Sequence, residues 1–204
     1  MNNKKSGAKT LFMSVLMSAP GPLVIGISLL SGKSTTQIAD FVRRSSELLA
    51  IILSYIVFKK TMNENDDSKK KQLERKSNIF VGSMMVVGGF LMILLTLFSE
   101  STDKGNVTGG LVIALLGVIA NSIFWRKYTK LNKQEPNAIL EVQSRLYRAK
   151  TLVDGCVTIA LLSVLIAPHS QISIYLDFIG SIIVAIYLMY CGIKTINEYK
   201  TGGK

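Results

Sequence analysis

Six long apolar blocks, separated by charged segments, constrain this chain more than any other feature of its sequence. Each block is about 20 residues long, which is the length that a helix needs to cross a bilayer. The sequence therefore predicts an all-α bundle of six transmembrane helices, and it excludes a soluble enzyme, a secreted disulfide scaffold and a disordered tail. The blocks lie roughly at residues 10–31, 37–58, 78–98, 108–126, 147–167 and 173–193.

The composition agrees with a membrane protein. Hydrophobic residues make up 49% of the 204 residues, and both cysteines, Cys156 and Cys191, lie inside apolar blocks, so no disulfide framework is indicated. The formal net charge of +11 would suggest a nucleic-acid partner in a soluble protein, but here the basic residues lie between the apolar blocks. We therefore expect the lipid bilayer, and no nucleic acid, as a partner. No motif indicates an enzyme or a cofactor.

The distribution of Lys and Arg predicts the orientation of the bundle. Of the 24 Lys and Arg residues, 19 fall on one side of the six blocks and only Lys33 and Lys104 fall on the other, while Arg43, Arg44 and Lys150 lie within the blocks. By the positive-inside rule, both termini are then cytoplasmic, and we expect the plasma (inner) membrane of a bacterium. The transmembrane domain is expected to span 1–199, with two long cytoplasmic loops, one that holds the basic residues from Lys59 to Lys76 and one that holds those from Arg126 to Arg148. A short tail, 200–204, would follow without a cytoplasmic C-terminal domain.

The first apolar block contains an interruption. The stretch Ala19-Pro-Gly-Pro22 places two prolines near the middle of the block. Because proline lacks the backbone N–H that the helical ladder needs, this stretch predicts a kink in the first span. Such a kink suits a moving element but also occurs in static bundles.

Several charged residues lie inside the predicted spans. A charge in hydrocarbon costs roughly 2.5–3.5 kcal/mol and usually faces a partner, water or a transport pathway. In the second span the charges recur at i, i+3, i+4 and i+7, which places them on one helical face. In the fifth span a base and an acid are one turn apart, and Thr158 follows one turn later. The charged residues are Asp40, Arg43, Arg44, Glu47, Lys150, Asp154 and Asp177.

The second and fifth spans share a pattern in which an acid follows a base by one turn. It reads Arg43-x-x-x-Glu47 in one span and Lys150-x-x-x-Asp154 in the other. At a rise of about 1.5 Å per residue, Glu47 and Asp154 both lie near the middle of the membrane. If the two helices are neighbours, Arg43 faces Asp154 and Glu47 faces Lys150, with a total charge of zero. The alternative is a set of ion pairs within each helix that only stabilises the bundle.

Several segments resemble the membrane domain of the cation diffusion facilitator family, over roughly residues 10–199. The stretch 31–40 resembles the approach to that family's second-helix motif, and 147–154 resembles its fifth-helix motif. Glu74, Asn121 and the stretch 175–181 resemble features next to or within the third, fourth and sixth spans. Members of the family have six spans with both ends cytoplasmic, and they export divalent metals, typically zinc, in exchange for protons. The resemblance therefore implies a transporter, and members commonly dimerise.

The positions that match the family's metal site carry an unusual set of residues. Four side chains, an His-or-Asp-x-x-x-Asp pair from each of two helices, bind the metal in the family, whereas the matching positions here are Arg43, Glu47, Lys150 and Asp154. Zinc needs lone pairs, which a guanidinium does not offer, and two fixed positive charges repel a divalent cation. We therefore expect no ordinary four-ligand zinc site. Supporting polar residues within the membrane are Asp40, Arg44, Asp177 and Thr158.

Three hypotheses for function follow from these residues. The first is cation/proton antiport through a site in which the quartet Arg43, Glu47, Lys150 and Asp154 replaces the zinc ligands, with Lys150 as the titrating group. The second is a relative that does not transport and has a structural role, or that assembles with itself or with a full-length transporter. The third is a carrier of an anionic solute, attracted by Arg43, Arg44 and Lys150.

Overall fold

The computed structural model describes residues 2–31, 35–98, 107–166 and 171–201, which form seven helical segments. They are α1 (Asn2–Ser18), α2 (Pro20–Ser31), α3 (Thr35–Met62), α4 (Asp67–Phe98), α5 (Val107–Gln134), α6 (Ala138–Ile166) and α7 (Gln171–Lys200). The described residues contain no strand. The prediction of an all-α bundle is confirmed for the described residues, and with α1 and α2 counted together as the first span the helices agree with six spans.

The first span is broken where its prolines predict a break. The amide of Ala19 still donates to the carbonyl of Val15 at 3.0 Å, and a new helix then begins at Pro20. Pro20 has no N–H to continue the ladder, whereas a proline is well tolerated in the first turn of a helix. The span therefore consists of two helices, α1 and α2, rather than one bent helix.

The helices extend well beyond the predicted spans at one end of the bundle. We call this the basic end; it holds the first residues of α1, α4 and α6 and the last residues of α3, α5 and α7. The prediction of two long loops there was wrong, because only residues 63–66 separate α3 from α4, and only 135–137 separate α5 from α6. Hydropathy marks where a helix leaves the membrane, but it does not mark where the helix ends.

Two side-chain caps explain where α4 and α6 begin. Asp66 Oδ1 accepts from the amides of Ser68 and Lys69 at 2.9 and 3.3 Å. Asn137 Oδ1 likewise accepts from the amides of Ile139 and Leu140 at 2.9 and 3.2 Å. Asp and Asn are strong N-cap residues because their short side chains satisfy amides that have no partner inside the helix.

Glycines bring α4 and α7 into backbone contact. A Cβ atom at Gly82 would lie 2.9 Å from the carbonyl oxygen of Gly192, and one at Gly192 would lie 2.6 Å from the carbonyl oxygen of Gly82. Small residues allow such close approach. In lipid, where hydrophobic burial does not drive helices together, van der Waals packing of this kind stabilises the contact. The α4–α7 pair is therefore a tightly packed part of the bundle.

The outer surface of the bundle is rich in large apolar side chains. Leu23, Val24, Ile113 and Ile183, for example, are each more than 60% exposed. By length and hydropathy, three stretches within the described residues qualify as membrane spans on their own: Asp67–Phe98, Leu111–Gln134 and Phe178–Lys200. An apolar exterior around helices of this length fits a protein surrounded by lipid.

The buried apolar core lies toward the basic end. It includes Leu11 of α1, Ile51 of α3, Val81 of α4 and Leu146 of α6, all at most 1% exposed. Helices α5 and α6 pack closely, and α3 packs closely on α4, but α3 and α6 approach each other only locally. The space between α3 and α6 therefore remains for polar side chains.

Candidate transport site

The charged face of α3 is turned toward the interior of the bundle at Glu47. This carboxylate is only 8% exposed. Arg43 Nη1 lies 3.2 Å from Glu47 Oε1, one helical turn away. Arg44 lies nearby, with its side chain against Gly21 of α2. Asp40 belongs to α3 as well, but its side chain lies outside the described part of the structure.

The predicted contact between Glu47 and Lys150 is present. Lys150 Nζ lies 3.3 Å from Glu47 Oε2, so the ammonium group of α6 bridges to α3. Both side chains are largely buried, with 16% and 10% of their surfaces exposed. Glu47 therefore lies between two positive groups, one from its own helix and one from α6.

Arg43 and Asp154 line the same cavity, but the structure does not join them in the direct pair that was predicted. Arg43 instead contacts Glu47 in its own helix, while Asp154 Oδ2 accepts from Asn121 Nδ2 of α5 at 2.6 Å. Residues at i and i+4 contact each other within one helix. A contact between Arg43 and Asp154 would instead require α3 and α6 to come close, and these helices meet only over a short stretch. The second acid of the quartet is therefore directed toward α5.

Gly117 explains how Asp154 can lie against α5. A Cβ atom at this glycine would lie 2.5 Å from Asp154 Oδ2. Gly117 and Asn121 are one turn apart on α5, so the glycine leaves the space and the asparagine supplies the donor. Thr158, predicted to support the site, donates its hydroxyl to the carbonyl oxygen of Asp154 at 2.7 Å, within its own helix.

The charged side chains of the quartet line one cavity of about 390 Å³. Its walls come from the α1–α2 break, α3, α5 and α6, with a single contribution from α7. Among the described residues, no group of three or more His, Cys, Asp and Glu side chains is placed to hold a metal ion. The cavity lining includes Arg43, Arg44, Glu47, Asn121, Lys150 and Asp154.

The sequence model of the cation efflux transmembrane domain matches residues 11–199. This chain belongs to the cation efflux family. The resemblance to cation diffusion facilitators seen in the motifs is thereby confirmed, since the match covers nearly the whole chain. A comparison with curated protein sequences found no significant match. Members of this family are transporters rather than enzymes, and the apolar helices agree with an integral membrane protein.

The basic end of this cation efflux protein holds a second, separate network of charges. Arg145 of α6 contacts Glu141 at 2.5 Å and also binds Glu198 of α7. Burial acts to lower the pKa of Arg145, but the hydrogen bond with Glu198 and the two carboxylate charges raise it above its usual range. The network joins α6 to α7 outside the predicted spans and away from the cavity.

Glu74 lies in the same region. Asn137 Nδ2 donates to Glu74 Oε1 at 3.2 Å, so the acid contacts the residue that caps α6. Burial raises the pKa of Glu74, while Lys70 and Asn137 act in the opposite direction. In the sequence, Glu74 resembles an acidic residue of the family, and in the structure it connects α4 to the start of α6.

Three features of the cavity were missed as site residues. They are the space at Gly117, the amide of Asn121 and the ring of Tyr147, whose face lies 5.2 Å from Lys150 Nζ. Asn121 was noted in the sequence only through its resemblance to the family, although it was also detectable as a rare amide inside an apolar span. The predicted supporting residue Asp177 has a side chain outside the described part of the structure.

Proposed function

We propose that this cation efflux protein exchanges a monovalent cation for protons, and that the quartet Arg43, Glu47, Lys150 and Asp154 takes the place of the usual zinc site. The observation that carries the proposal is the ion pair between Lys150 and Glu47 at 3.3 Å, across the gap between α3 and α6. In this proposal the ammonium stands where a cation would bind, and unlike a guanidinium it can lose its proton.

The exchange is balanced in charge. With Lys150 protonated, the two bases and two acids of the quartet sum to zero. When Lys150 releases its proton, the quartet becomes −1, and a monovalent cation at Glu47 and Asp154 restores neutrality. Reprotonation of Lys150 then displaces that cation. Proton and cation thus compete for the same carboxylates, which is the requirement for antiport.

The charge that remains in the cavity favours a monovalent over a divalent substrate. Arg43 and Arg44 keep their charge throughout, because guanidinium groups do not titrate in proteins. Carboxylate and amide oxygens from Glu47, Asp154 and Asn121 suit alkali cations, whereas a zinc site uses three or four ligand side chains and the quartet offers only two carboxylates.

The surroundings of the site belong to the same proposal. By the positive-inside rule, the basic end is cytoplasmic in a bacterial inner membrane, and the domain spans 1–199. Two copies, or one copy and a longer relative, assemble in the membrane. A second candidate function is anion transport, favoured by the three basic groups, Arg43, Arg44 and Lys150, against two carboxylates in the described lining of the cavity.

The test is ion flux in proteoliposomes that contain a pH-sensitive dye. The protein is challenged in turn with potassium, sodium, zinc, manganese and cobalt, and then with chloride or sulfate gradients. We expect potassium or sodium gradients to drive a pH change that Lys150→Met abolishes. The matched control is Lys133→Met, since Lys133 is exposed on α5.

Each result decides between the hypotheses. A pH change with monovalent cations that is lost in Lys150→Met and in Glu47→Gln with Asp154→Asn supports the proposal. Loss of the signal in Lys133→Met as well would show a general defect and remove that support. Flux with zinc alone would contradict the monovalent assignment. Anion flux that depends on Arg44 would favour the second candidate, and no flux of any kind from folded protein would leave a role without transport.

A further inference from the structure

Three aromatic rings pack together between the cavity and the basic end. Tyr147 of α6 has its ring centroid 5.2 Å from that of Phe124 and 5.4 Å from that of Tyr128, both on α5. Phe124 and Tyr128 stack at 6.3 Å. Tyr128 and Tyr147 are at most 1% exposed and are among the largest fully buried side chains. We call these three residues the aromatic cluster.

The cluster marks the limit of the cavity on that side. Tyr147 and Phe124 line the cavity, whereas Tyr128, one turn nearer the basic end on α5, does not. In the other direction the lining continues along α5 to Ile113 and along α6 to Leu161. The cavity thus extends away from the basic end, and the aromatic rings lie across its path toward that end.

Both tyrosine hydroxyls connect the cluster to the first span. The hydroxyl of Tyr128 lies 2.7 Å from that of Ser14, and the hydroxyl of Tyr147 lies 3.3 Å from that of Ser18. Ser18 is the last residue of α1, directly before the break at Ala19. The cluster therefore holds α1, α5 and α6 together at the point where the first span is interrupted.

Lys150 connects the same cluster to the charged site. Its ammonium group lies 5.2 Å from the ring centroid of Tyr147 and 3.3 Å from Glu47. A cation over an aromatic face stabilises the position of the ring, most strongly where water is excluded. The attraction depends on the positive charge, so it is lost if Lys150 becomes neutral.

We propose that Tyr147 is a positioning residue that closes the cavity at its basic end and that couples this closure to the charge on Lys150. With a charged Lys150, the ring of Tyr147 is held against Phe124 and Tyr128 and the path is closed. With a neutral Lys150, one of the contacts that hold the ring is lost and the path opens more often. The proposal rests on transport through this cavity, but its test does not require transport.

The experiment measures access to the cavity with a thiol reagent that does not cross membranes. The parent carries Cys156→Ser and keeps the buried Cys191 as an internal reporter of unfolding. Ala120→Cys places a thiol in the cavity lining. Reagent is applied to inside-out vesicles, and peptide mass spectrometry gives the labelling rate at each site. A separate Lys133→Cys variant, exposed at the basic end, reports which side faces the reagent.

The expected rates follow from the contacts that each substitution removes. Tyr147→Leu removes the ring and should speed labelling at position 120 about 10-fold or more, because stacking and cation–π contacts are lost together. Lys150→Met should speed it roughly 3–10-fold, and Lys150→Arg, which keeps a cation, should return it close to the parent rate. Tyr147→Phe keeps the ring and should change the rate by no more than about 3-fold.

Several outcomes would overturn the proposal. One is a parent rate for Tyr147→Leu while Cys191 stays protected. A second is a parent rate for Lys150→Met, which would remove the coupling. A third is equal acceleration in Lys150→Met and Lys150→Arg, which would show that packing rather than charge matters. Labelling of Cys191 in every variant with faster labelling at position 120 would show that the faster labelling comes from unfolding. Failure of the flux experiment with the expected labelling rates would reject the transport proposal and leave the closure intact.

Discussion

Two helix pairs in this protein are built in opposite ways. Between α4 and α7, the backbones touch at Gly82 and Gly192, and no space for a larger side chain remains. Between α3 and α6, the contact is local, and long charged side chains cross the gap from Glu47 to Lys150. The first interface depends on shape alone, while the second depends on charge and on a cavity of about 390 Å³.

The difference indicates which part of the bundle can change and which cannot. A backbone contact with no flexible atoms has one arrangement, because neither helix can move without a collision or a gap. A contact between long side chains can break and form again while the helices move by a few ångströms. We therefore expect α4 and α7 to act as a fixed unit. Beside it lies a site at which the charged side chains of α3 and α6 exchange ion-pair partners.

The largest expected effect concerns the tightly packed contact between α4 and α7. Gly82→Ala places a methyl group against the backbone of α7 and should lower the free energy of unfolding by about 2–3 kcal/mol. The matched control is Gly155→Ala, because a Cβ atom there meets nothing within 4 Å. The control should be neutral, or stabilising by up to about 1 kcal/mol. Thermal unfolding in detergent measures both; equal shifts for the two variants would contradict the description of the interface.

The next effect concerns the charged side. Lys150→Met leaves the buried carboxylate of Glu47 with fewer positive partners, and we expect a loss of about 2–3 kcal/mol in stability. Adding Glu47→Gln removes the charge that lacks its partner and should recover more than half of the loss. Denaturation of the two single variants and the double variant forms the cycle. Simple additivity would show that the two groups do not interact.

A smaller effect should follow from the contact between α5 and α6. Asn121→Ala removes the amide that donates to Asp154 at 2.6 Å, and we expect a loss of about 1–2 kcal/mol. In a background with Asp154→Asn, the same substitution should matter less, because the acceptor is no longer charged. Unfolding measurements on the four combinations test this, and an undiminished effect in the Asp154→Asn background would contradict the assigned contact.

The smallest effect is a pH dependence at the basic end. Because burial raises the pKa of Glu74 above its ordinary value of 4.5, the folded state holds this proton more tightly than the unfolded state. The Glu74 carboxyl therefore stabilises the folded state at low pH. This stabilisation is lost as pH rises from 4.5 through the raised pKa of Glu74 in the folded state. Glu74 is half-buried, so after solvent screening the difference from Glu74→Gln should stay below about 0.5 kcal/mol.

The direction of the change in stability with pH tests whether the pKa of Glu74 is raised in the folded state. In Glu74→Gln the loss of stability with rising pH in this window should be smaller than in the wild type. Unfolding followed from about pH 4 to pH 7 in both proteins measures the difference directly. A larger loss in the variant would mean that the folded pKa of Glu74 is lowered instead.

Much of the bundle was predictable from local patterns. The number of spans follows from apolar blocks that are long enough to cross a bilayer. The break at Pro20 follows from the missing N–H of proline. The contact between Glu47 and Lys150 was also predictable. Helical periodicity gives each residue a face of its helix and a depth along it, and residues with matching face and depth meet when their helices are neighbours.

The helix ends at the basic end were less predictable. Hydropathy falls at the membrane boundary, but the helices continue to Met62 and Gln134, and α4 and α6 begin earlier than their apolar blocks. The caps at Asp66 and Asn137 were present in the sequence as turn residues. Short polar residues are common in charged segments, however, so position alone did not select these two.

The sequence by itself determined the fold class, the break in the first span and the shared helical face of the charged residues, since each depends on local periodicity or on one residue's backbone chemistry. Only the tertiary structure decided that Arg43 contacts Glu47, that Asp154 turns to Asn121 beside Gly117, and that Tyr147 lies against Lys150. Those choices depend on which helix faces meet and how closely. That depends in turn on backbone contacts such as the one between Gly82 and Gly192, far from the site along the chain.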